Sequence, residues 1–259
     1  MTVLSVNLNK VALLRNSREG QRPSVIEFAQ LAIAAGAGGI TVHPRPDQRH
    51  VRASDVPALA TMLKTEYPHI EFNIEGNPVA DANAGGYPGF IPLIKAVGPA
   101  QATLVPDSDD QLTSDHGWDL SVAQPQLRAH IEACQQAGAR VSLFMDPVVE
   151  HMAIAADYGA DRVEFYTGPY AETFWQYGAA DQRTQDCYRQ FALAAEAALH
   201  AGLGINAGHD LDQQNLPLFA NLPGLAEVSI GHAIICEALI DGFGDTVAAY
   251  AKILQSTNG

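Results

Sequence analysis

Several histidines and carboxylates of this 259-residue chain stand at the ends of short apolar runs. His43 and Arg45 follow GGITV, Glu71, Asn73 and Glu75 alternate along IEFNIE, and Glu164 lies within RVEFY. Asn206 and His209 close GINAGH, Gly231 and His232 follow VSI, and Asn7, Asn9 and Lys10 close SVNLNK. Imidazoles and carboxylates exchange protons near neutral pH, whereas Arg, Lys and glycine-flanked backbone N–H groups hold phosphate. These residue types therefore point to acid–base chemistry on an anionic substrate. Singly, each has a plainer use: His43 as a hydrogen-bonded rim histidine, Glu71 or Glu164 as the structural partner of an interior arginine. Glu71, Asn73 and Glu75 share one face of their strand, so alternation alone does not choose between the two carboxylates.

The fold that would gather these residues is read from the elements around them. Strands are expected at Leu4 to Asn9, Gly39 to His43, Ile70 to Glu75, Ala102 to Pro106, Arg140 to Asp146, Arg162 to Thr167, Leu203 to Asn206 and Ala226 to Gly231. Helices are clearest at Ser24 to Ala35, Val122 to Ala137, Val148 to Tyr158, Gln182 to Ala201 and Asp245 to Leu254. The joints AAGAGGITV, QAGARVSLF, YGADRVEFY and HAGLGINAG put glycine just after a helix and a strand immediately beyond it. Eight βα units in one domain spanning residues 1–259 predict a (β/α)8 TIM barrel, with an open doubly wound sheet as the lesser alternative. In the barrel, chemistry belongs at the C-terminal ends of the strands, where the residues named above fall. The ends of strands seven and eight are this fold's usual phosphate site.

Composition narrows the partners. A formal net charge of −14 argues against nucleic acid and anionic membrane surfaces. Seven of the fifteen basic residues nevertheless lie in the first 52 positions, Arg18, Arg45 and Arg49 among them, where they can hold anions. Cys134, Cys187 and Cys236 are too far apart for a metal site and predict reduced thiols. Without a leader-like N-terminus or a long apolar run, the expectation is a soluble cytoplasmic protein. No GxGxxG or GxxxxGK[ST] phrase supports a nucleotide. His43, His50, Glu71, Glu164, His209 and His232 include possible metal ligands, but no HExxH-type spacing organises them, so no metal is expected.

Read together, SVNLNKVALLRNSR, GAGGITVHPRPDQRH, IEFNIE, TLVPDSDDQLTSDHGWD, VSLFMD, RVEFYTGPYA, INAGH and SIGHAIICEAL make the chain resemble the pyridoxine 5'-phosphate synthases nearly end to end. That resemblance implies condensation of 1-deoxy-D-xylulose 5-phosphate with 3-amino-2-oxopropyl phosphate, needing no metal or redox cofactor, in a homo-octamer. It implies that His43 and Glu71 are proton acceptors, His209 a proton donor and Glu164 a stabiliser of transition states. Arg45, His50 and Thr113 would hold deoxyxylulose phosphate; Asn7, Arg18, Gly231 and His232 would hold the aminoketone phosphate. Two departures stand out: Asn9-Lys10 replaces the usual Asp-His, with Lys10 expected on the deoxyxylulose phosphate side, and Asp210 replaces the glycine after INAGH. An anion at position 210 would repel phosphate unless it points away. Two other readings remain, a metal-dependent phosphosugar aldolase or epimerase on the same barrel and a non-catalytic phospholigand-binding protein.

Overall fold

The computed structural model describes residues 2–108 and 111–256. Eight parallel strands close a barrel: β1 Val3–Asn7, β2 Gly39–Val42, β3 Glu71–Gly76, β4 Gln101–Leu104, β5 Arg140–Met145, β6 Arg162–Tyr166, β7 Gly204–His209 and β8 Leu225–Ile230. Each pairs with its sequence neighbours, and β1 closes the ring against β8 through Val3 opposite Glu227 and Val6 opposite Ile230. The fold is the expected (β/α)8 TIM barrel.

Alternation along the strands sends two kinds of side chain to two places. Leu4, Val6, Ile40, Val42, Phe72, Ile74, Val141, Leu143, Val163, Phe165, Ile205, Val228 and Ile230 are buried in the main apolar core, between the strands and the surrounding helices. The alternate residues point inward and are mostly polar. Ser5, Thr41, Asn73, Thr103, Ser142, Glu164, Asn206 and Ser229 are all buried. Barrels of this class usually fill the interior with branched apolar side chains. Here hydrogen bonds replace them: Ser5 meets Thr41 at 2.7 Å, Asn73 donates to Thr41 at 3.4 Å, and Thr103 donates to Asn73 at 3.1 Å and to Glu164 at 3.3 Å. The Glu164 carboxyl group can be buried here because these neighbours partly satisfy it.

Differences from the expected boundaries have local causes. The first strand stops at Asn7, whose Oδ1 accepts the Asn9 N–H at 2.9 Å, and Asn9–Asn16 is a helix. Lys10 therefore lies in a helix's first turn, not in a loop. The helix expected from Val122 begins only at Leu127, because Pro125 disfavours helical geometry in the residue before it. The seventh strand runs on to His209. Within the expected loop 76–88, Asp81–Ala82 pairs antiparallel with Pro88–Gly89. Asp55–Glu66, Phe90–Val97, Gly168–Tyr177 and His232–Asp241 add further helices. All three cysteines are free, and no helix among the described residues is long and apolar enough to cross a membrane.

Candidate active site

The C-terminal ends of the strands enclose a cavity of about 350 Å³. Its floor is made by Glu75, Glu164 and Ser229, its sides by Asn7, His43, Phe144 and His209, and its rim by Lys10, Arg45 and Arg49 together with His50 and His232. Asn9, Thr113, Asp210 and Gly231 complete the expected residues that line it.

Glu75 is the buried carboxylate nearest the imidazoles, with Oε2 3.8 Å from His43 Nδ1. Asn7 Nδ2 and Ser229 Oγ donate to it only at 3.4 and 3.5 Å, which satisfies it weakly. Burial first, then the Asp107 and Glu227 carboxylates, push its pKa up to about 8. Glu164 is likewise raised well above the usual carboxylate range by burial and by Glu75 and Glu227. His43 moves the other way: burial, then Arg45 and His50, hold it well below the ordinary imidazole value. Near neutral pH the floor thus carries a neutral imidazole beside a carboxyl group poised to lose its proton. Asn9 orients this pair, since its Oδ1 accepts the His43 backbone N–H at 2.8 Å.

The rim is held in place by its own hydrogen bonds. Arg45 is buried and donates to Asp107 Oδ2 at 2.5 Å, where Ser114 Oγ also donates at 2.7 Å. His50 Nδ1 accepts the Val51 N–H at 2.9 Å, so its proton must reside on Nε2. Burial and then Arg45 lower its pKa to about 3, leaving a neutral donor. The loop carrying His50 is held from below by Arg15, which donates to the His50 carbonyl at 3.1 Å and reaches Asp55 with two nitrogens at 2.7 and 2.9 Å. Arg49 Nη1 donates to the Gln111 carbonyl at 3.1 Å, tying the segment that carries Thr113 to the segment after β2.

Two glycines are required where the strands end. A Cβ on Gly208 would lie 2.4 Å from the Ser229 carbonyl oxygen and 3.1 Å from Glu164 Oε1, and one on Gly231 would lie 3.0 Å from the Asn7 carbonyl oxygen. Gly231 caps the helix His232–Asp241, whose first residue lines the cavity. Burial, then Lys10, lower the His232 pKa.

Two expected residues are not in the cavity. Glu71 opens β3 at the opposite end of the barrel, about 13 Å along the strand from Glu75. There it accepts from Arg140 Nη2 at 2.5 Å and Nη1 at 3.3 Å, and the Arg140 hydrogen bonds hold its pKa below the usual range. This geometry corrects the expectation of Glu71 beside His43: Glu75 occupies that place. Arg18 is exposed beyond the end of helix Asn9–Asn16 and does not line the cavity. The sequence reading gave Asp107 no role although it lies within TLVPDSDDQLTSDHGWD, because nothing in that phrase pairs it with Arg45, and it read Arg49 only as one of several cations able to hold anions.

Among the described residues no three His, Cys, Asp or Glu side chains are grouped to hold a metal ion.

Comparison with known proteins identifies the family. The chain resembles the pyridoxine 5'-phosphate synthase of Xanthomonas axonopodis pv. citri, 54% identical over 98% of this chain and 97% of the relative. It also resembles the protein of that name from Xylella fastidiosa, 52% identical over 99% and 96%. Among solved structures, phosphoribosyl anthranilate isomerase from Thermus thermophilus shares the fold at a TM-score of 0.57 and 15% identity, covering 98% of this chain and 99% of that one. The model of the family described as pyridoxal phosphate biosynthesis protein PdxJ matches residues 4–256, and the chain belongs to that family.

Proposed function

We propose that this chain is an enzyme that condenses 3-amino-2-oxopropyl phosphate with 1-deoxy-D-xylulose 5-phosphate, giving pyridoxine 5'-phosphate, phosphate and water. The observation that carries the reading is Glu75 buried beside His43 under a rim of cations. Condensing an amine with a ketone, eliminating phosphate, dehydrating and closing the ring all require proton transfers beside bound phosphate. Glu75, with its pKa near 8, accepts and returns protons at neutral pH, and the neutral His43 imidazole is a second acceptor. Glu164, kept protonated by burial, donates hydrogen bonds to developing negative charge. His209 is the proton donor at the cavity mouth.

Arg45, His50, Thr113 and Lys10 hold deoxyxylulose phosphate, the arginine and lysine as charges and His50 as a neutral donor. Gly231, His232 and Asn7 hold the aminoketone phosphate, with the helix N-terminus supplying backbone N–H groups. Arg18, exposed and outside the lining of this cavity, is given no part in it. Asn9 positions His43 and Asp210 contacts His209, and both residues line the cavity in which substrate binds. The metal-dependent aldolase reading lacks a ligand group among the described residues. The reaction as proposed draws on no metal or redox cofactor.

A cytoplasmic home and a homo-octamer complete the proposal. Leu239 and Ile240 are 80% and 86% exposed, and Leu14 is exposed on the neighbouring helix, which suits a surface covered by further copies. Light scattering on the purified protein measures that assembly directly.

The test is incubation of chelator-treated, folded protein with both phosphorylated substrates while following the absorbance of the pyridine ring. Product is expected without added metal or nucleotide. Absence of product at every substrate ratio would remove the assignment.

A further inference from the structure

His209 is one of two described non-glycine residues with positive φ, at 93°. Side chains rarely adopt that conformation, and it persists where surrounding contacts enforce it. The contacts here are specific. Ring Nδ1 lies 2.8 Å from Asp210 Oδ2, and ring Nε2 lies 2.7 Å from Thr113 Oγ1. Tyr166 packs edge-on against the ring at 5.4 Å between centroids.

An ionised carboxylate only accepts hydrogen bonds, so Asp210 requires the proton on Nδ1. Nε2 is then the nitrogen that gains and loses a proton. It faces the Thr113 hydroxyl, which donates to a bare nitrogen or accepts from a protonated one. Asp210 is itself anchored: its carbonyl accepts from Asn215 Nδ2 at 3.1 Å, and the fully buried Asn215 is bound to Asp212. Asp212 in turn accepts from Trp175 Nε1 at 2.8 Å, and Tyr170 donates to the Asn215 carbonyl at 2.8 Å.

We propose that Asp210 is a positioning residue that fixes His209 in the Nδ1–H form, making Nε2 the proton-delivering atom of this site. The proposal rests on the reading of His209 as proton donor and deepens it. When the imidazolium passes its Nε2 proton to a departing substrate oxygen, a neutral Nδ1–H imidazole remains and Asp210 stays a carboxylate. The next turnover restores the Nε2 proton from solvent or from a proton released by substrate. A residue without a side-chain acceptor at position 210 would leave Nδ1 without this partner, so the arrangement depends on the Asp210 carboxylate. It also explains why a carboxylate is tolerated beside a phosphate site: its charge is directed into the His209 ring.

The test combines a spectroscopic and a kinetic reading of the full-length protein. With histidine labelled by nitrogen-15 and His209 assigned by its absence in His209→Asn, the neutral ring is expected as the Nδ1–H tautomer, changing toward Nε2–H in Asp210→Ala. Because Asp210 is 41% exposed, its contribution should fall short of the ~10⁴ known for a buried triad aspartate. Turnover in Asp210→Ala is expected to fall about 10- to 100-fold with KM for both substrates little changed. Asp210→Asn, whose amide oxygen can still accept from Nδ1, should recover part of that loss. On the His209→Asn background, Asp210→Ala should cost nothing further. An unchanged tautomer in Asp210→Ala, or an undiminished loss on that background, would overturn the proposal. A His209→Asn protein with full turnover would instead remove the proton-donor reading while leaving the tautomer contact to stand on its spectrum.

Discussion

Glu75 Oε2 lies 3.8 Å from His43 Nδ1, both side chains buried, and burial displaces their pKa values in opposite directions. Removing either group from water disfavours its charged form, so the carboxyl holds its proton and the imidazole remains bare. The separation exceeds a hydrogen bond and leaves the pair free to turn toward a substrate atom. Asn9, through the His43 backbone, and Asn7 and Ser229, through the Glu75 carboxyl, set its geometry.

The displaced Glu75 pKa makes stability depend on pH. In the unfolded chain this carboxyl titrates near its ordinary value of 4.5, and in the folded protein near 8. Between those values the folded state holds the extra proton, so this contribution to stability is complete below pH 4.5 and is lost as pH rises toward 8. Glu75→Gln carries no such term. Its stability relative to the parent should therefore increase across that window, by at most about 1.4 kcal/mol per pH unit. Urea denaturation of both proteins at about pH 5 and about pH 8 measures the difference; a constant difference would mean that Glu75 is not a raised carboxyl.

Asp107 is expected to matter for stability as well as binding. Asp107→Ala leaves the buried Arg45 without its carboxylate, and breaking a buried pair in this way costs roughly 3–5 kcal/mol. The denaturation midpoint should drop accordingly, with a smaller drop for Asp107→Asn. A midpoint within error of the parent would show that Arg45 relaxes to solvent.

Lys10, in the first turn of helix Asn9–Asn16 and at the cavity wall, should act through charge. Loss of one charge-assisted contact, about 1.5–3 kcal/mol, corresponds to an apparent KM for deoxyxylulose phosphate raised roughly 10- to 100-fold in Lys10→Ala. The aminoketone KM and kcat should change less. Unchanged kinetics would make Lys10 a solvated lysine, and a collapse of kcat alone would give it a part in the chemistry.

The barrel was legible because apolar runs and polar alternates repeat along the chain and glycines end four of the helices just before a strand, and all eight strands fall where those runs lie. The cavity was legible where a motif ended a strand, as with His43, Glu164, His209 and His232. It was not legible at Glu71 and Glu75. A period of two puts both inside the barrel, and only strand register separates the end where Glu71 lies opposite Gly39 from the end where Glu75 lies opposite Thr103. Nor was it legible that Arg18 lies outside the cavity lining, since a basic residue in a phosphate-binding context says nothing of where its turn is placed. The Asp210 contact depends on the backbone angle of His209, a property that no pattern of residue types encodes.

The comparison of Glu75→Gln with Glu71→Gln tests the account most directly, because the two substitutions are chemically identical and differ only in which end of the barrel they alter. Glu75→Gln removes the general base and should lower kcat about 10²- to 10⁴-fold while both substrates still bind. Glu71→Gln loses only a partly exposed ion pair with Arg140, worth at most about 1 kcal/mol of stability, and should keep its turnover within a few-fold of the parent. The reverse outcome, with turnover lost in Glu71→Gln and retained in Glu75→Gln, would contradict the placement of the chemistry at the C-terminal mouth of the barrel.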